Sequence, residues 1–182
     1  MTTRVCLDAC VLYPTVLREI LVGCASKGLF KPVWSARILE EWARATPKLG
    51  AGAETVARRE IEILRSEWPE AEIPPREADL KRLSLPDPND VHVLASAIAG
   101  HADAICTFNA RDFPRATLAE EGLVRLDPDQ FLQMCWGRDP DAVREVVTAI
   151  HRTAERLSGE VWPIRDLLKR ARLPKLGKAM TR

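Results

Sequence analysis

Short apolar runs alternate with longer segments of helical periodicity through the first part of the chain. Short, mostly apolar runs at residues 5–7, 31–34, 104–107 and 123–126 predict four brief strands. Between them, apolar residues recur every three or four positions, as in amphipathic helices. The predicted helical segments are 14–27, 36–45, 53–68, 78–83, 91–99, 118–121 and 128–135. This alternation predicts an α/β fold, an open parallel β-sheet flanked by helices on both faces.

The chain beyond residue 134 keeps the helical pattern but offers no further strand. Residues 137–140, Gly-Arg-Asp-Pro, predict a break. Helices are expected at 141–157 and 164–172, the second ended by Pro174. We therefore predict two domains, residues 1–134 and a C-terminal helical extension at residues 135–182. The apolar stripe expected to dock the first of these helices on the body consists of Val143, Val146, Val147, Ile150 and Leu157.

Charge is distributed unevenly although the net charge of the 182 residues is only +1. From Arg138 onward there are 11 Lys and Arg against 6 Asp and Glu, whereas the preceding residues carry 16 against 20. A basic end on a mildly acidic body predicts contact with an acidic surface, either RNA phosphate or a protein partner, the alternative being a solvated face. The cations concerned are Arg165, Lys169, Arg170, Arg172, Lys175 and Lys178.

The composition, 46% hydrophobic and 29% charged residues, is typical of a globular protein. No apolar run approaches the roughly 20 residues of a membrane span, and the N-terminus lacks a secretory apolar region. We therefore expect a cytoplasmic location without membrane contact. The five cysteines are odd in number and form no CxxC pair, so we expect reduced, mostly buried thiols.

Acidic residues stand where the predicted strands end or where helices next to them begin. Asp8 follows the first strand, Glu41 lies one turn into the helix after the second, Asp90 precedes the helix before the third, and Asp112 follows the third. Ligands of open parallel sheets bind beyond the carboxyl ends of the strands. A helix cap or a turn would explain any one of these acids; Asp90, for instance, occupies an expected N-cap position.

We hypothesise that the four acids converge on a divalent cation. Carboxylates brought together without a cation would resist ionising at once. The expected ligands are all oxygen atoms, with no Cys or His at matching spacing, which favours Mg²⁺ or Mn²⁺ over zinc.

Four segments in order resemble the successive motifs of PIN-domain ribonucleases, and in particular the VapC-type toxins of bacterial toxin–antitoxin pairs. They are LDACVLYP from Leu7, SARILEEW from Ser35, DPNDVHVLASA from Asp87 and TFNARDF from Thr107. The resemblance spans residues 1–134. It implies a metal-dependent endoribonuclease whose acids are Asp8, Glu41, Asp90 and Asp112. It also implies RNA and a cognate antitoxin protein as partners, and a homodimer as a further option.

Other polar residues of these motifs are expected to assist the acids or to compete with them. Glu40 competes with Glu41, which keeps the Leu-x-Glu spacing of the family. Asp87 is an extra acid expected behind the ligands, and Thr107 and Asn109 are expected to orient a carboxylate or the attacking water. His92, by contrast, is expected to be a packing or capping residue.

Three other functions remain open on the sequence alone. The first is a non-catalytic PIN-like module that binds RNA or protein, although the intact acid set argues against it. A phosphatase with an aspartyl nucleophile would need a second Asp where Cys10 stands. A receiver domain would need paired acids before the end of the first strand and a late Lys.

Overall fold

Four parallel strands form a single sheet in the centre of the protein. The computed structural model describes residues 3–181. The strands are β1 (Arg4–Leu7), β2 (Lys31–Val33), β3 (Ala104–Cys106) and β4 (Val124–Leu126), in the order β2-β1-β3-β4. All three neighbouring pairs are parallel. The predicted open parallel α/β sheet flanked by helices is therefore confirmed.

Helices connect the strands and continue after the last one. They are α1 (Ala9–Leu12), α2 (Thr15–Ser26), α3 (Ala36–Ala45), α4 (Ala53–Glu67), α5 (Glu77–Arg82), α6 (Val91–Ala99), α7 (Arg115–Glu120), α8 (Pro128–Arg138), α9 (Pro140–Ser158), α10 (Ile164–Arg170) and α11 (Pro174–Met180). One-turn 3₁₀ helices occupy Thr46–Leu49 and Pro88–Asp90. Within residues 3–181, no helix is both long and apolar enough to cross a membrane.

The two central strands are completely buried along their apolar runs. Val5, Cys6, Leu7, Ile105 and Cys106 have no exposed surface. A central strand of a parallel sheet is covered by helices on both faces, which is why these strands are continuously apolar instead of alternating. All five cysteines are free thiols, four of them buried.

The first extension helix, α9, packs closely on the body through α2 and α8. A methyl group at Gly23 of α2 would lie 2.6 Å from a methyl carbon of Val146, so Gly23 permits the close approach of the two helices. Val143 and Val147 are fully buried, as the stripe predicts. Leu157 is 80% exposed because it lies in the last turn of α9, where residues 156–158 are all exposed, and its predicted packing role is wrong.

The end of the chain contains a helix that the sequence pattern did not reveal. Pro174, expected only to stop a helix, is the first residue of α11, a position where its missing N–H has no cost. The buried carboxylate of Asp129 in α8 accepts hydrogen bonds from the backbone N–H groups of Lys175 (2.9 Å) and Leu176 (3.0 Å). The first turn of α11 is thus capped by a residue distant in sequence.

The division predicted between residues 134 and 135 falls inside α8, which runs from Pro128 to Arg138. Helices on both sides of this point share one hydrophobic core cluster, since Leu132, Val147 and Leu176 all belong to it. The extension is therefore integrated with the body by packing. The division into two domains stays a prediction.

Candidate metal centre

Asp8 and Thr107 stand at the carboxyl ends of the two central strands. The Asp8 N–H donates to the Cys106 carbonyl at 3.2 Å, one position beyond the β1–β3 pairing. One carboxylate oxygen of Asp8 accepts from the Ala9 N–H at 2.7 Å and caps α1, and the other accepts from the Thr107 hydroxyl at 2.7 Å. Asp8 is only 6% exposed. Its carboxylate is consequently fixed at the sheet edge where ligands bind.

Three further acids gather at the same edge. Asp87, Asp90 and Asp112 each offer a carboxylate oxygen, and these three atoms lie within 4.8 Å of one another. Opposite ligands of an octahedral Mg²⁺ ion are about 4.2 Å apart, twice the Mg–O distance of about 2.1 Å. The half-buried, all-oxygen cluster therefore fits a hard divalent cation. Asp87, expected behind the ligands, is as close to the cluster as the other two.

Asp90 does not cap α6, contrary to the sequence expectation. Its backbone is already helical, with φ −87° and ψ −6°, and its side chain makes no capping hydrogen bond. The preceding Asp87 provides the cap instead, since its carboxylate accepts from the Asn89 N–H at 2.9 Å. The 3₁₀ turn carries Asp90 past the capping position and leaves its carboxylate free of a capping bond. The carboxylate is then available to the crevice, the space at the sheet edge around Asp8, Glu41, Asp87, Asp90 and Asp112.

Burial and neighbouring acids raise the pKa of Asp90 to about 6. Partial burial is the larger cause, followed by the charges of Asp8, Asp87, Asp112 and Glu41. These acids belong to one electrostatic environment, because each disfavours the negative charge on Asp90. A bound cation would reverse that effect.

Glu40 and Glu41 are adjacent on α3 but lie in different surroundings. Glu40 binds Arg44 at 2.6 Å and Arg58 at 2.9 Å, and these hydrogen bonds lower its pKa to about 2. Glu41 faces the crevice and accepts from Arg37 at 3.2 Å. Burial opposes its ionisation, but contacts with His92 and Arg37 outweigh it and lower the pKa. The geometry thus favours Glu41 over Glu40 as the α3 acid of the cluster.

His92 and Arg37 contact the site although sequence reasoning gave neither a role there. His92 is 2% exposed, and its Nε2 lies 2.9 Å from a carboxylate oxygen of Glu41. The contact lacks the direction of a hydrogen bond, and neither ring nitrogen has such a partner within residues 3–181. Arg37 also donates to the Asn89 carbonyl at 3.3 Å and so links α3 to the turn before α6. The i,i+4 spacing of Arg37 and Glu41 was a signal that could have identified the former.

A short hydrogen-bond chain after β3 connects the acids. The Thr107 hydroxyl donates to Asp8 and accepts from the Asn109 N–H at 2.9 Å. The Asn109 side chain donates to Asp90 at 3.0 Å and accepts from the Asp112 N–H at 3.4 Å. Thr107 and Asn109 therefore touch three of the four predicted acids, an arrangement suited to holding carboxylates in place.

The thiol of Cys10 also contacts this chain. It lies 3.2 Å from an oxygen of Asp8 and accepts from the Phe108 N–H at 3.3 Å. Burial, with a further contribution from Asp8, raises the pKa of this thiol to about 12, so it remains neutral. Cys10 is a weak donor that supports Asp8, and nothing in its position suggests a nucleophile.

The six predicted binding cations of the extension are all exposed. None of them forms a salt bridge among the described residues, with the crevice acids or with any other. Arg172 contacts the loop after β3, with its guanidinium 3.8 Å from the centre of the Phe108 ring.

A family model described as PIN domain matches residues 4–111, which include Asp8, Glu41, Asp87 and Asp90 and end one residue before Asp112. No curated protein and no solved structure is similar enough to this chain to match it.

Proposed function

The chain belongs to the PIN-domain family, and on this premise we propose that it is a metal-dependent endoribonuclease, the toxin of a toxin–antitoxin pair. PIN domains are generally metal-dependent nucleases, so a hydrolase acting on nucleic acid is the coarse assignment. RNA as the substrate and internal cleavage as the reaction are finer assignments than this one. These choices rest on the likeness of the four motifs to VapC-type toxins.

The observation that carries the proposal is the crowding of acids at one edge of the sheet. Asp87, Asp90 and Asp112 offer oxygens within 4.8 Å of one another, and Asp8 and Glu41 are near enough to affect the pKa of Asp90. Asp8 and Asp87 also cap helical turns, but capping gives no reason to collect five carboxylates at one edge, because their repulsion opposes folding. A divalent cation would neutralise these charges, and each carboxylate would then be attracted to the metal.

In the proposed reaction the protein supplies and positions the oxygen ligands of the metal. The ion, Mg²⁺ or Mn²⁺, would be held by Asp87, Asp90 and Asp112. The carboxylates of Asp8 and Glu41 would add negative charge beside it. When bound, the metal supplies a nucleophilic hydroxide at neutral pH and neutralises charge on phosphate. Thr107 fixes Asp8, and Asn109 fixes Asp90 together with the loop of Asp112. These contacts keep the ligands in place before the substrate arrives.

The direct test is cleavage of RNA by the purified protein. Linear and circular forms of one RNA are incubated with Mg²⁺, with Mn²⁺ and with EDTA. We expect cleavage of both RNA forms with either metal and none with EDTA. Cleavage of the circular form would show an endonuclease, because a circular substrate has no end for an exonuclease. Binding without cleavage under every condition would instead assign the non-catalytic PIN-like module.

The toxin role has a separate test in cells. Induced synthesis of the protein should arrest growth, and the arrest should require an intact Asp90. Co-expression of a cognate antitoxin protein should restore growth. Normal growth despite active, soluble enzyme would contradict the toxin role and leave the nuclease assignment standing.

A further inference from the structure

The C-terminal basic segment, residues 164–181, carries several exposed cations and a single acid, Asp166. It consists of α10, α11 and the turn between them. The surface positions include Arg165, Lys169, Arg172, Lys175 and Lys178, and no salt bridge among residues 3–181 involves them. Like charges gathered on two short helices repel each other, so their accumulation requires another explanation than stability.

Packing beneath these cations fixes their positions on the body. Leu168, Leu173 and Leu176 are completely buried, and the two carboxylate oxygens of Asp129 hold the first turn of α11. The cations are consequently carried on a docked surface and not on a loose tail. Their distances from the acid cluster are therefore set by the fold.

Arg172 joins this segment to the loop that carries the site. Its backbone is left-handed, with φ +63°, which is uncommon for a residue other than Gly, Asn or Asp. In this conformation the guanidinium lies over the ring of Phe108, 3.8 Å from its centre. Phe108 is bracketed by Thr107, which binds Asp8, and Asn109, which binds Asp90. The Arg172 guanidinium thus lies on the loop whose residues bind Asp8 and Asp90, two of the predicted metal ligands.

Two lysines continue the positive charge away from that point. Lys175 and Lys178 are three residues apart on α11 and so share one face of the helix. With Gln133 of α8 they line a shallow groove of about 270 Å³. The groove offers two ammonium groups and an amide, which are suitable partners for phosphate oxygens.

We infer that Arg172, Lys175 and Lys178 form a track for the phosphate backbone of single-stranded RNA, leading to the acid cluster beside Phe108. The inference rests on the proposed function, since it names how the substrate of that site is bound. An acid cluster repels phosphate, so affinity for RNA has to come from cations next to it. Cationic grooves combined with an aromatic ring are the usual means of binding single strands. An acidic protein partner would gain nothing from lying next to the acids.

The test measures binding separately from cleavage. Anisotropy of a labelled single-stranded RNA is recorded in EDTA over a series of salt concentrations. The variant Arg172→Asn/Lys175→Gln/Lys178→Gln removes three charges, and Asn tolerates the left-handed backbone at position 172. The control Lys31→Gln/Arg152→Gln/Arg156→Gln removes three charges from exposed residues elsewhere. We expect at least about tenfold weaker binding at low salt for the first variant, and a log–log salt slope reduced by about 2.

The control should bind like the wild type, because its cations lie off the track. The double variant Lys175→Gln/Lys178→Gln retains the Arg172–Phe108 contact and changes only exposed side chains, so folding does not obscure its result. Its salt slope should fall by about 1.4. Equal affinity and slope for the track variants and the control would overturn the inference and assign the cations to a protein partner. A reduced slope in a protein that never cleaves RNA would support the track while contradicting the proposed nuclease function.

Discussion

Helix α3 separates two regions in which carboxylates have opposite surroundings. On its outer side, Glu40 is paired with Arg44 and Arg58, and its pKa is lowered to about 2. On the crevice side, Asp90 is half-buried among other acids and its pKa is raised to about 6. The two groups have similar chemistry, so the difference in pKa comes from their neighbours.

The comparison distinguishes carboxylates that hold the fold together from carboxylates that await a partner. A paired acid has its charge balanced within the protein, as Asp129 also shows by capping α11. The crevice acids have too few cations for balance, since Arg37 is the only Lys or Arg that pairs with any of them among residues 3–181. Removal of a paired acid should therefore reduce stability, whereas removal of a crevice acid should reduce activity.

The largest effect is expected on the rate of RNA cleavage when a single acid of the crevice is neutralised. Glu41→Gln and Asp90→Asn each remove one charge from the crevice, and we expect RNA cleavage in Mg²⁺ to fall more than about 100-fold. Glu40→Gln is the matched control, because it makes the same chemical change one residue away and should retain wild-type activity. Initial rates on a defined RNA measure the three variants. Comparable losses in Glu40→Gln and Glu41→Gln would abolish the distinction between the two regions.

A smaller loss is expected when the support of the crevice acids is removed. Asn109→Ala deletes the amide that donates to Asp90 and accepts from Asp112. We expect activity or metal affinity to fall about 10- to 100-fold, with the Mg²⁺ concentration for half-maximal rate raised accordingly. Asn89→Ala is the control, since Asn89 forms its hydrogen bonds to Arg37 and Asp87 through backbone groups alone. Equal behaviour of the two variants would contradict a supporting role for Asn109.

Asp129→Ala should reduce stability more than the removal of a crevice acid or of an exposed paired acid. Two backbone N–H groups of α11 would lose their charged acceptor, which costs about 2 kcal/mol of unfolding free energy. Asp141→Ala removes an exposed acid paired only with Arg144 and should cost less than about 0.5 kcal/mol. Urea unfolding measures both values. Hydrogen exchange should be faster in α11 of the Asp129 variant, and unchanged exchange there would refute the capping role.

The smallest effect is a gain of stability in Asp90→Asn without metal. Because the pKa of Asp90 is raised from 3.8 to about 6 in the folded state, ionisation destabilises the fold progressively as pH rises through this window. The Asn variant should gain about 1 kcal/mol at pH 8, a value already reduced for solvent screening at this partly exposed group. The melting temperature in EDTA should then rise by about 2–4 °C at pH 8. The gain should vanish near pH 4, and a gain independent of pH would contradict the raised pKa.

The parallel sheet was predictable because the two central strands contain short, continuously apolar runs and the two outer strands are short and mostly apolar. The strand at 104–107 was placed within one residue of β3, and the helix predicted at 36–45 coincides with α3, where Ser35 accepts from the Ile38 N–H. Local rules suffice for such elements. They were insufficient for α11, because its cap, Asp129, lies in another helix.

The convergence of acids was predictable from topology, but the details were not. Strand ends in a parallel sheet share an edge, so Asp8 and the residues after β3 had to be neighbours. The backbone of the 3₁₀ turn decides that Asp87 caps and Asp90 does not, and this depends on one or two dihedral angles. The contact of His92 with Glu41 depends on where the fold places α3 relative to α6, which periodicity does not reveal.

Direct titration of a divalent cation tests the central claim, that the crevice acids form a metal site. Mn²⁺ is titrated into the full-length protein, and bound ion is measured by electron paramagnetic resonance and by calorimetry. We expect saturable binding by the wild type, unchanged binding by Glu40→Gln, and binding weakened at least about tenfold by Asp90→Asn. Absence of saturable binding by the wild type, or equal binding by Asp90→Asn, would contradict the account.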